Sequence, residues 1–259
     1  MGVMSALVTA FLLGLGITVT KGTTMLKFMK EFQVIINKLI ENIIIPLLPF
    51  HIAGIFSEVA YLGEIISTLR VFGSIFTLLV GMHIIYIIIQ YFTAGFLAKV
   101  NPFQAIKGMM AAYLTAIGTE SSAATIPFSL KSIKKLDVTE EVAEFIAPLG
   151  ASIYLPGSTI SIVVCAVSVL ALDGTFVTMT QMTPFVMMLG ITMIAAPGVP
   201  GGAVMAALGL LESMLGLTDS QIGLMMALYI AQASFGAAAN VMGDGATALI
   251  DNKLSNKFI

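Results

Sequence analysis

Residues 196–202, with the sequence APGVPGG, interrupt an apolar region that extends from 177 to 216. Proline removes a helical hydrogen-bond donor and glycine loosens the backbone, so a helix is expected to break at this centre. The flanking arms are 177–196, whose first residues are polar, and 202–215. Both offer fewer than the ~20 apolar residues that cross a bilayer. The pattern predicts a helical hairpin that enters a membrane and turns back.

A second apolar region, 103–135, has the same organisation around the sequence GTESS at residues 118–122. Its arms, 103–117 and 123–130, are again shorter than a membrane span. The region therefore predicts a second hairpin.

Five other stretches reach or approach the length of a membrane span, at residues 3–20, 39–60, 68–98, 141–172 and 218–250. The chain of 259 residues is 58% hydrophobic and only 10% charged, whereas about a quarter of a typical soluble domain is charged. Lipid is therefore its natural solvent, and we predict an all-α polytopic membrane protein. The net charge of −2, without a basic stripe, gives no reason to expect a nucleic-acid partner.

The basic residues test this topology. With five spans and two hairpins, all of the twelve Lys and Arg residues except Arg70 fall on one side of the membrane. If each hairpin were a single span, the split would be eight to four. The positive-inside rule therefore favours hairpins and predicts a cytoplasmic C-terminus. Two full spans in place of either hairpin would give the same split, and only the short arms argue against that version.

The order of segments repeats along the chain. Hairpin A (101–135) precedes a broken span at 138–172, and hairpin B (176–216) precedes a broken span at 218–252. Because the two hairpins enter from opposite sides, the arrangement is an inverted repeat. Interrupted helices in matching halves are a sequence signal for the binding site of a transporter.

Both broken spans are expected to unwind at their centres. The first contains YLPGST at 154–159 and the second contains NVMGDGAT at 240–247. Asp244 is the main candidate for a functional residue, because an ionised carboxylate at mid-membrane is costly without a cation partner or a wet cavity. Gly243 and Gly245 should loosen the backbone around it and expose carbonyls. The alternative is that Asp244 lies near the cytoplasmic end of the last span.

Four motifs together resemble the dicarboxylate/amino acid:cation symporter family, whose members include the glutamate-transporter-like proteins. SSAATIP at 121–127 and APGVPGG at 196–202 resemble its two hairpin tips. PLGASI at 148–153 resembles the approach to its unwound seventh helix, and NVMGD at 240–244 its ion-binding eighth helix. The motifs occur in the order found in the family.

The resemblance implies a sodium-coupled symporter of an amino acid or a dicarboxylate, in the cell membrane, and not an enzyme. The first three spans of the family have no counterpart here. Residues 1–66 would form a partial scaffold, with the end of the fourth span and the fifth span. Residues 67–259 would form a transport domain that moves like an elevator and begins with the sixth span. A homotrimer is expected if the scaffold is complete. The alternative is a truncated, non-transporting fragment or a regulatory remnant.

The resemblance also implies two sodium sites. The first would combine the Asp244 carboxylate with carbonyls of Gly150, Tyr154 and Asn240. The second would use carbonyls at the first broken span and at hairpin B, those of Ser152, Leu155, Met193, Ile194 and Ala196. A third family site requires an aspartate where this chain has Pro156, so we expect that site to be lost.

Substrate contacts are implied at the hairpin tips by Ser121, Ser122, Val199 and Gly201, with Ser158 and Asn240 in support. The arginine that binds a side-chain carboxylate in the family aligns with Gly236, and the aspartate that binds the amino group aligns with Ala233. Glu120 stands at the alternative arginine position. We therefore expect a neutral or cationic amino acid as substrate, since Glu120 would repel a second carboxylate. Glu120 could instead be a solvated loop residue.

Two other interpretations carry less weight. An intramembrane aspartyl protease needs two carboxylates that share a site, and no second mid-span aspartate accompanies Asp244. His83 lies in an apolar run without a nearby cluster of ligands, and it is interpreted as a packed histidine.

Overall fold

The structure, a computed structural model, describes residues 3–39 and 65–255, together with isolated positions between 42 and 61. All regular secondary structure in these ranges is helical. The all-α class is therefore confirmed for the described residues. The stretch 39–60, which was predicted to correspond to the fifth span of the family, lies mostly outside the described residues.

Eleven principal α-helices follow one another in the described ranges. They are α1 (Val3–Thr20), α2 (Thr23–Leu39), α3 (Ile65–Ala98), α4 (Pro102–Thr119), α5 (Ser122–Ile133), α6 (Glu140–Ile153), α7 (Pro156–Leu172), α8 (Met179–Ile194), α9 (Gly202–Leu215), α10 (Asp219–Ala231) and α11 (Ala233–Ser255).

Several of these helices have the length and composition of membrane segments. Arg70–Ala98 and Glu140–Leu172 are long and apolar enough to span a bilayer, and α10 with α11 forms a third candidate that bends by 61°. Helices α8 and α9 are apolar but shorter. On α3, Ile85, Ile89 and Phe96 turn 58%, 59% and 84% of their surface outward. Such an apolar outer face fits a membrane protein.

Helix α11 lies at the centre of the molecule and packs against α3, α4, α5, α6 and α7. Small side chains make this possible, because Ala238, Ala246 and Ala248 are fully or almost fully buried and let neighbouring backbones approach. One apolar core joins α11 to α4, α6 and the second half of α3. A second core joins α7, α8, α9 and α10. The two cores meet along α3 and α11.

The first predicted break is present in the structure. Helix α6 ends at Ile153, Tyr154 and Leu155 are not helical, and α7 begins at Pro156. A proline fits the first helical position because the amide that it lacks would have no helical acceptor there.

The second predicted break was placed wrongly. Helix α11 is continuous through residues 240–247, and the interruption lies at Gln232 instead. The Gln232 side chain lies at this interruption, and its Nε2 donates to the Tyr229 carbonyl at 3.1 Å at the end of α10.

The glycines of α11 serve close packing and not unwinding. A Cβ at Gly243 would overlap the ring of Tyr154. A Cβ at Gly245 would lie 2.5 Å from the Tyr91 hydroxyl and 2.8 Å from Met109. Each glycine costs the helix ~1 kcal/mol relative to alanine, and the close approach of neighbouring side chains compensates for it.

The two regions predicted as hairpins form two contacting helix pairs, α4 with α5 and α8 with α9. The first pair turns at Glu120, whose φ of 54° is left-handed. The second pair turns through residues 195–201 and ends at Gly201, with a φ of 72°. Glycine adopts that conformation without the steric cost that other residues incur.

Candidate functional site

The turns of the two helix pairs touch each other. The Ser121 hydroxyl donates to the Gly198 carbonyl at 2.7 Å, and the Ala123 amide donates to the same oxygen at 3.1 Å. Ser121 also caps α5 by accepting from the Ala124 amide at 3.1 Å. Two segments that are 77 residues apart in sequence therefore meet tip to tip.

A small cavity lies beside this contact. It is bounded by the tips of both helix pairs, the α6–α7 break and one face of α10 and α11, with the lining residues Glu120, Ser122, Leu155, Ser158, Pro197, Gly198, Val199, Gly201, Ala203, Tyr229, Ala233, Ala237 and Asn240. Six of the seven residues predicted to contact substrate are in this lining. The seventh, Ser121, is buried next to them and bonded to Gly198.

Asn240 holds the polar wall of the cavity together. Its Oδ1 accepts from the Gly157 amide at 2.7 Å and from the Ser158 amide at 3.3 Å, and its Nδ2 donates to the Ser158 hydroxyl at 3.0 Å. Leu155, at the cap position of α7, provides no side-chain hydrogen bond. Asn240 therefore caps α7 from a neighbouring helix and satisfies amides that a helix start leaves free.

Asp244 lies one turn further along α11 in a different environment. Its side chain is 1% exposed, and neither carboxylate oxygen has a hydrogen-bond partner among the described residues. Gly150 on α6 lies directly against it, so that a Cβ at this position would overlap Oδ1. Ion pairs in the described ranges involve Lys134 with Glu140 and Glu144, not Asp244.

An aromatic and amide cluster covers this side of α11. The Tyr154 ring lies on Gly243, and its hydroxyl is 3.1 Å from the Tyr86 hydroxyl and accepts from Gln90. The Tyr91 hydroxyl donates to the Met242 carbonyl at 2.8 Å. Tyr86, Gln90 and Tyr91 were not predicted from the sequence as residues of the site. Their only signal was a polar or aromatic residue at helical spacing within the apolar α3.

The end of α6 connects the tip contact to the acid. A Cβ at Gly198 would overlap the Ala151 carbonyl. Gly150, which precedes Ala151 in the chain, is packed on Asp244. The hairpin tips, the α6–α7 break and Asp244 therefore occupy one continuous region.

The residues predicted for the second cation site surround the α6–α7 break and the end of α8, two elements that are in contact. Leu155, Met193 and Ala196 are buried. Ser152 directs its hydroxyl to the Pro148 carbonyl at 3.1 Å, and the Ile194 side chain is 58% exposed. A cation at this place would be bound by backbone carbonyls. The only side-chain oxygen in this group of residues is the Ser152 hydroxyl.

The charge of the cavity is negative. Among the described residues that line it, Glu120 alone carries a formal charge. Ala233 and Gly236 bring no ionisable group to the adjacent face of α11. The remaining polar groups near the cavity are hydroxyls, amides and peptide groups, which suit a neutral or positively charged ligand.

Comparison with known proteins gives a consistent result. The chain matches the Sodium:dicarboxylate symporter family over residues 1–254. It is 27% identical to excitatory amino acid transporter 2 of Mus musculus over 245 residues, which cover 90% of this chain and 42% of the relative. It is 28% identical to neutral amino acid transporter A of Bos taurus over 257 residues, which cover 95% of this chain and 48% of the relative. The chain thus spans less than half the length of these curated relatives.

Proposed function

The chain belongs to the sodium:dicarboxylate symporter family, a family of transporters and not of enzymes, and we propose that it is a sodium-coupled secondary symporter of an amino acid. The observation that carries the proposal is the convergence of two opposed helix pairs on one cavity next to a buried, unpartnered carboxylate. An enclosed site between inverted repeats is what alternating access requires.

The membrane arrangement that we propose has five spans and two re-entrant hairpins, with the C-terminus in the cytoplasm. Residues 67–259 form the transport domain, and residues 1–66 belong to the scaffold. The short arms and the tip-to-tip contact of α4–α5 with α8–α9 support the hairpins. Irregular backbone is tolerated at membrane depth where it is buried in protein or lines a cavity, as the two tips do here.

Transport follows an elevator-type alternating access. Hairpin B acts as the outer gate, and its tip closes on hairpin A through the Gly198 carbonyl. Sodium bound at Asp244 favours this closed, loaded arrangement, because the closed arrangement binds sodium more tightly than the open arrangement does.

The residues around Asp244 fit a sodium ion. Two buried carboxylate oxygens without protein partners are costly unless a cation or proton accompanies them, and hard cations prefer oxygen ligands. Asp244 would bind the ion with carbonyls of Gly150, Tyr154 and Asn240. Because Asn240 lies inside a continuous helix, its carbonyl would have to share its second lone pair. The second site would use the backbone near Leu155, Met193 and Ala196, with Ser152 and Ile194.

The substrate that we propose has no anionic side chain. Glu120 is the charged residue of the cavity lining, and a second carboxylate on the substrate would meet it without a compensating cation. The amino group of a neutral or cationic amino acid would be favoured at the same place. The α-carboxylate would bind at the hairpin tips, where Ser122 at the start of α5 lines the cavity and the positive end of the helix favours an anion.

The test is uptake into liposomes that contain the reconstituted protein. Labelled L-alanine, L-serine, L-lysine, L-glutamate and L-aspartate are each supplied with an inward gradient of sodium or of potassium. We expect sodium-dependent uptake of a neutral or cationic amino acid, and its loss in Asp244→Asn. Gly190→Ala is the control, because a Cβ at this exposed position in α8 meets nothing within 4 Å.

Three results would oppose parts of the proposal in different ways. Uptake that is equally fast in sodium and potassium would remove the sodium coupling. A complete absence of uptake, with correctly inserted protein, would favour the non-transporting remnant. Strong glutamate uptake would leave the symporter in place and refute the assignment of substrate class.

A further inference from the structure

A buried polar cluster lies behind the cavity and has no part in the sites described so far. It consists of His83 on α3, Ser161 on α7 and Gln232 at the α10–α11 junction, which are 3%, 0% and 1% exposed. Buried polar groups in a membrane segment are costly and usually have a specific function. These three residues come from three separate parts of the chain.

The hydrogen bonds of the cluster converge on one carbonyl. His83 Nε2 is 3.0 Å from the Gly157 carbonyl oxygen and 3.1 Å from Ser161 Oγ. Ser161 Oγ is itself 3.0 Å from the Gly157 oxygen and 3.0 Å from Gln232 Oε1. The single proton of the Ser161 hydroxyl can therefore go to either acceptor.

A hydrogen bond from His83 to the Gly157 carbonyl requires one tautomer of the ring. A carbonyl oxygen can only accept, so Nε2 must carry the hydrogen that is directed at Gly157. Nδ1 is then an acceptor, and it has no partner among the described residues. The histidine thus leaves one ring nitrogen unsatisfied in the interior in order to direct the other at Gly157.

Gly157 is the residue through which this contact reaches the cavity. Its amide donates to Asn240 Oδ1 at 2.7 Å, and the next residue, Ser158, lines the cavity. A Cβ at Gly157 would overlap the Gly236 carbonyl, so the residue is also fixed sterically. Asn240 therefore binds the amide of Gly157 from the cavity side, and His83 binds the carbonyl of Gly157 from the opposite side.

The start of α7 needs such support because the chain is broken just before it. Tyr154 and Leu155 are not helical, so α6 does not fix the direction of α7. We propose that His83 is a positioning residue that clamps the Gly157 carbonyl, and thereby sets the placement of Ser158 and Asn240 and the affinity of the cavity for substrate. The affinity part of this inference rests on the proposed function.

The test compares His83→Leu, which removes the donor, with His83→Gln, which returns an N–H donor on a flexible side chain. Hydrogen–deuterium exchange of residues 155–162 reports the clamp directly. The KM and kcat of sodium-dependent uptake, measured with the preferred one of labelled L-alanine, L-serine and L-lysine, report its effect on the cavity. Ile133→Ala is the control for general destabilisation, because Ile133 is fully buried in the other core, away from the cavity.

We expect His83→Leu to accelerate exchange in residues 155–162. It should also raise KM by about tenfold and leave kcat within about twofold of the wild-type value, because the lost interaction contributes equally to binding in the ground state and in the transition state. His83→Gln should restore slow exchange and most of the affinity. Ile133→Ala should lower the melting temperature and leave KM unchanged.

Unchanged exchange in His83→Leu would overturn the clamp. Faster exchange with an unchanged KM would overturn its effect on the cavity, and so would an equal rise of KM in Ile133→Ala. If the wild-type protein transported none of the three amino acids, the proposed function would fail, while the exchange measurement would still decide whether His83 holds Gly157.

Discussion

Asn240 and Asp244 lie one helical turn apart on α11, and they represent two differently constructed regions. Around Asn240, both side-chain atoms are bonded to Gly157 and Ser158, so the wall of the cavity is complete as the protein stands. Around Asp244, both carboxylate oxygens lack partners, although glycine backbone and aromatic rings enclose them. The difference indicates that the protein itself organises the wall of the cavity, and we expect the acid to need a bound cation.

The largest effect is expected from Gly150→Ala, which acts on the Asp244 region alone. The new Cβ would overlap Oδ1 and displace the carboxylate. We expect the sodium concentration for half-maximal uptake to rise by at least about tenfold, since misplaced ligands lose most of a site's affinity. Titration of uptake against sodium is the measurement, with Gly190→Ala as the matched glycine control. An unchanged sodium requirement would mean that Gly150 does not border the ion site.

A smaller effect is expected from Gly198→Ala, which tests whether the two regions are coupled through the hairpin tips. A Cβ there would overlap the Ala151 carbonyl, one residue from the glycine packed on Asp244. Substrate affinity and sodium affinity should each fall by about three- to tenfold, because residues that share a contact are energetically coupled. Gly118→Ala is the control at the opposite tip, because its Cβ meets nothing within 4 Å. A fall in only one affinity would separate the regions.

Glu120→Gln should alter the cavity and leave the Asp244 region unchanged. Removing the charge should lower the affinity for L-lysine by about threefold, because an ion pair between partly solvated groups contributes little free energy. The same change should raise the affinity for L-glutamate. Competition of both amino acids against labelled substrate measures this. If the ranking of the two competitors did not change, Glu120 would be a solvated loop residue.

The smallest effect is expected at the exposed turn after α5, outside both regions. Lys134 bonds to Glu140 and lies 3.3 Å from Glu144. These contacts raise the pKa of Lys134, mainly through the hydrogen bond to Glu140. The contribution of this contact is present at neutral pH and is lost as the pH rises through the raised pKa of Lys134.

Because both side chains are exposed, Lys134→Gln should leave the melting temperature at pH 7 and the uptake rate unchanged within experimental error. Thermal unfolding at pH 7, together with uptake into liposomes, is the measurement. A large loss of stability at pH 7 would show that this turn supports the transport site in a way that its exposure does not suggest.

Local rules were sufficient for part of this fold. Pro156 and Gly157 predicted the break between α6 and α7, and the interruptions at 118–122 and 196–202 predicted the turns that meet in the structure. They failed at the second break, which lies at Gln232, a residue that is neither a proline nor a glycine. Gly243 and Gly245 suggested unwinding, but neighbours from α3, α4 and the α6–α7 break occupy the space that they leave.

The partners of the candidate site depended on contacts that are distant in sequence. His83 was interpreted as a packed histidine, because its partners Gly157 and Ser161 lie 74 and 78 residues away. Tyr154 was expected to contribute a carbonyl, and its hydroxyl contacts with Tyr86 and Gln90 could not be inferred from spacing within one helix. No periodicity within one helix indicates which side chains of another helix face it.

Sodium-dependent thermal stabilisation of the purified protein tests the central claim most directly. The melting temperature of the wild-type protein should rise with sodium chloride and not with equal potassium chloride, because an ion that binds only the folded state stabilises it. Asp244→Asn should shrink this difference to the part that the second proposed sodium site supplies, and Gly190→Ala should retain all of it. A sodium-specific rise of wild-type size in Asp244→Asn would contradict the assignment of this carboxylate as a cation site.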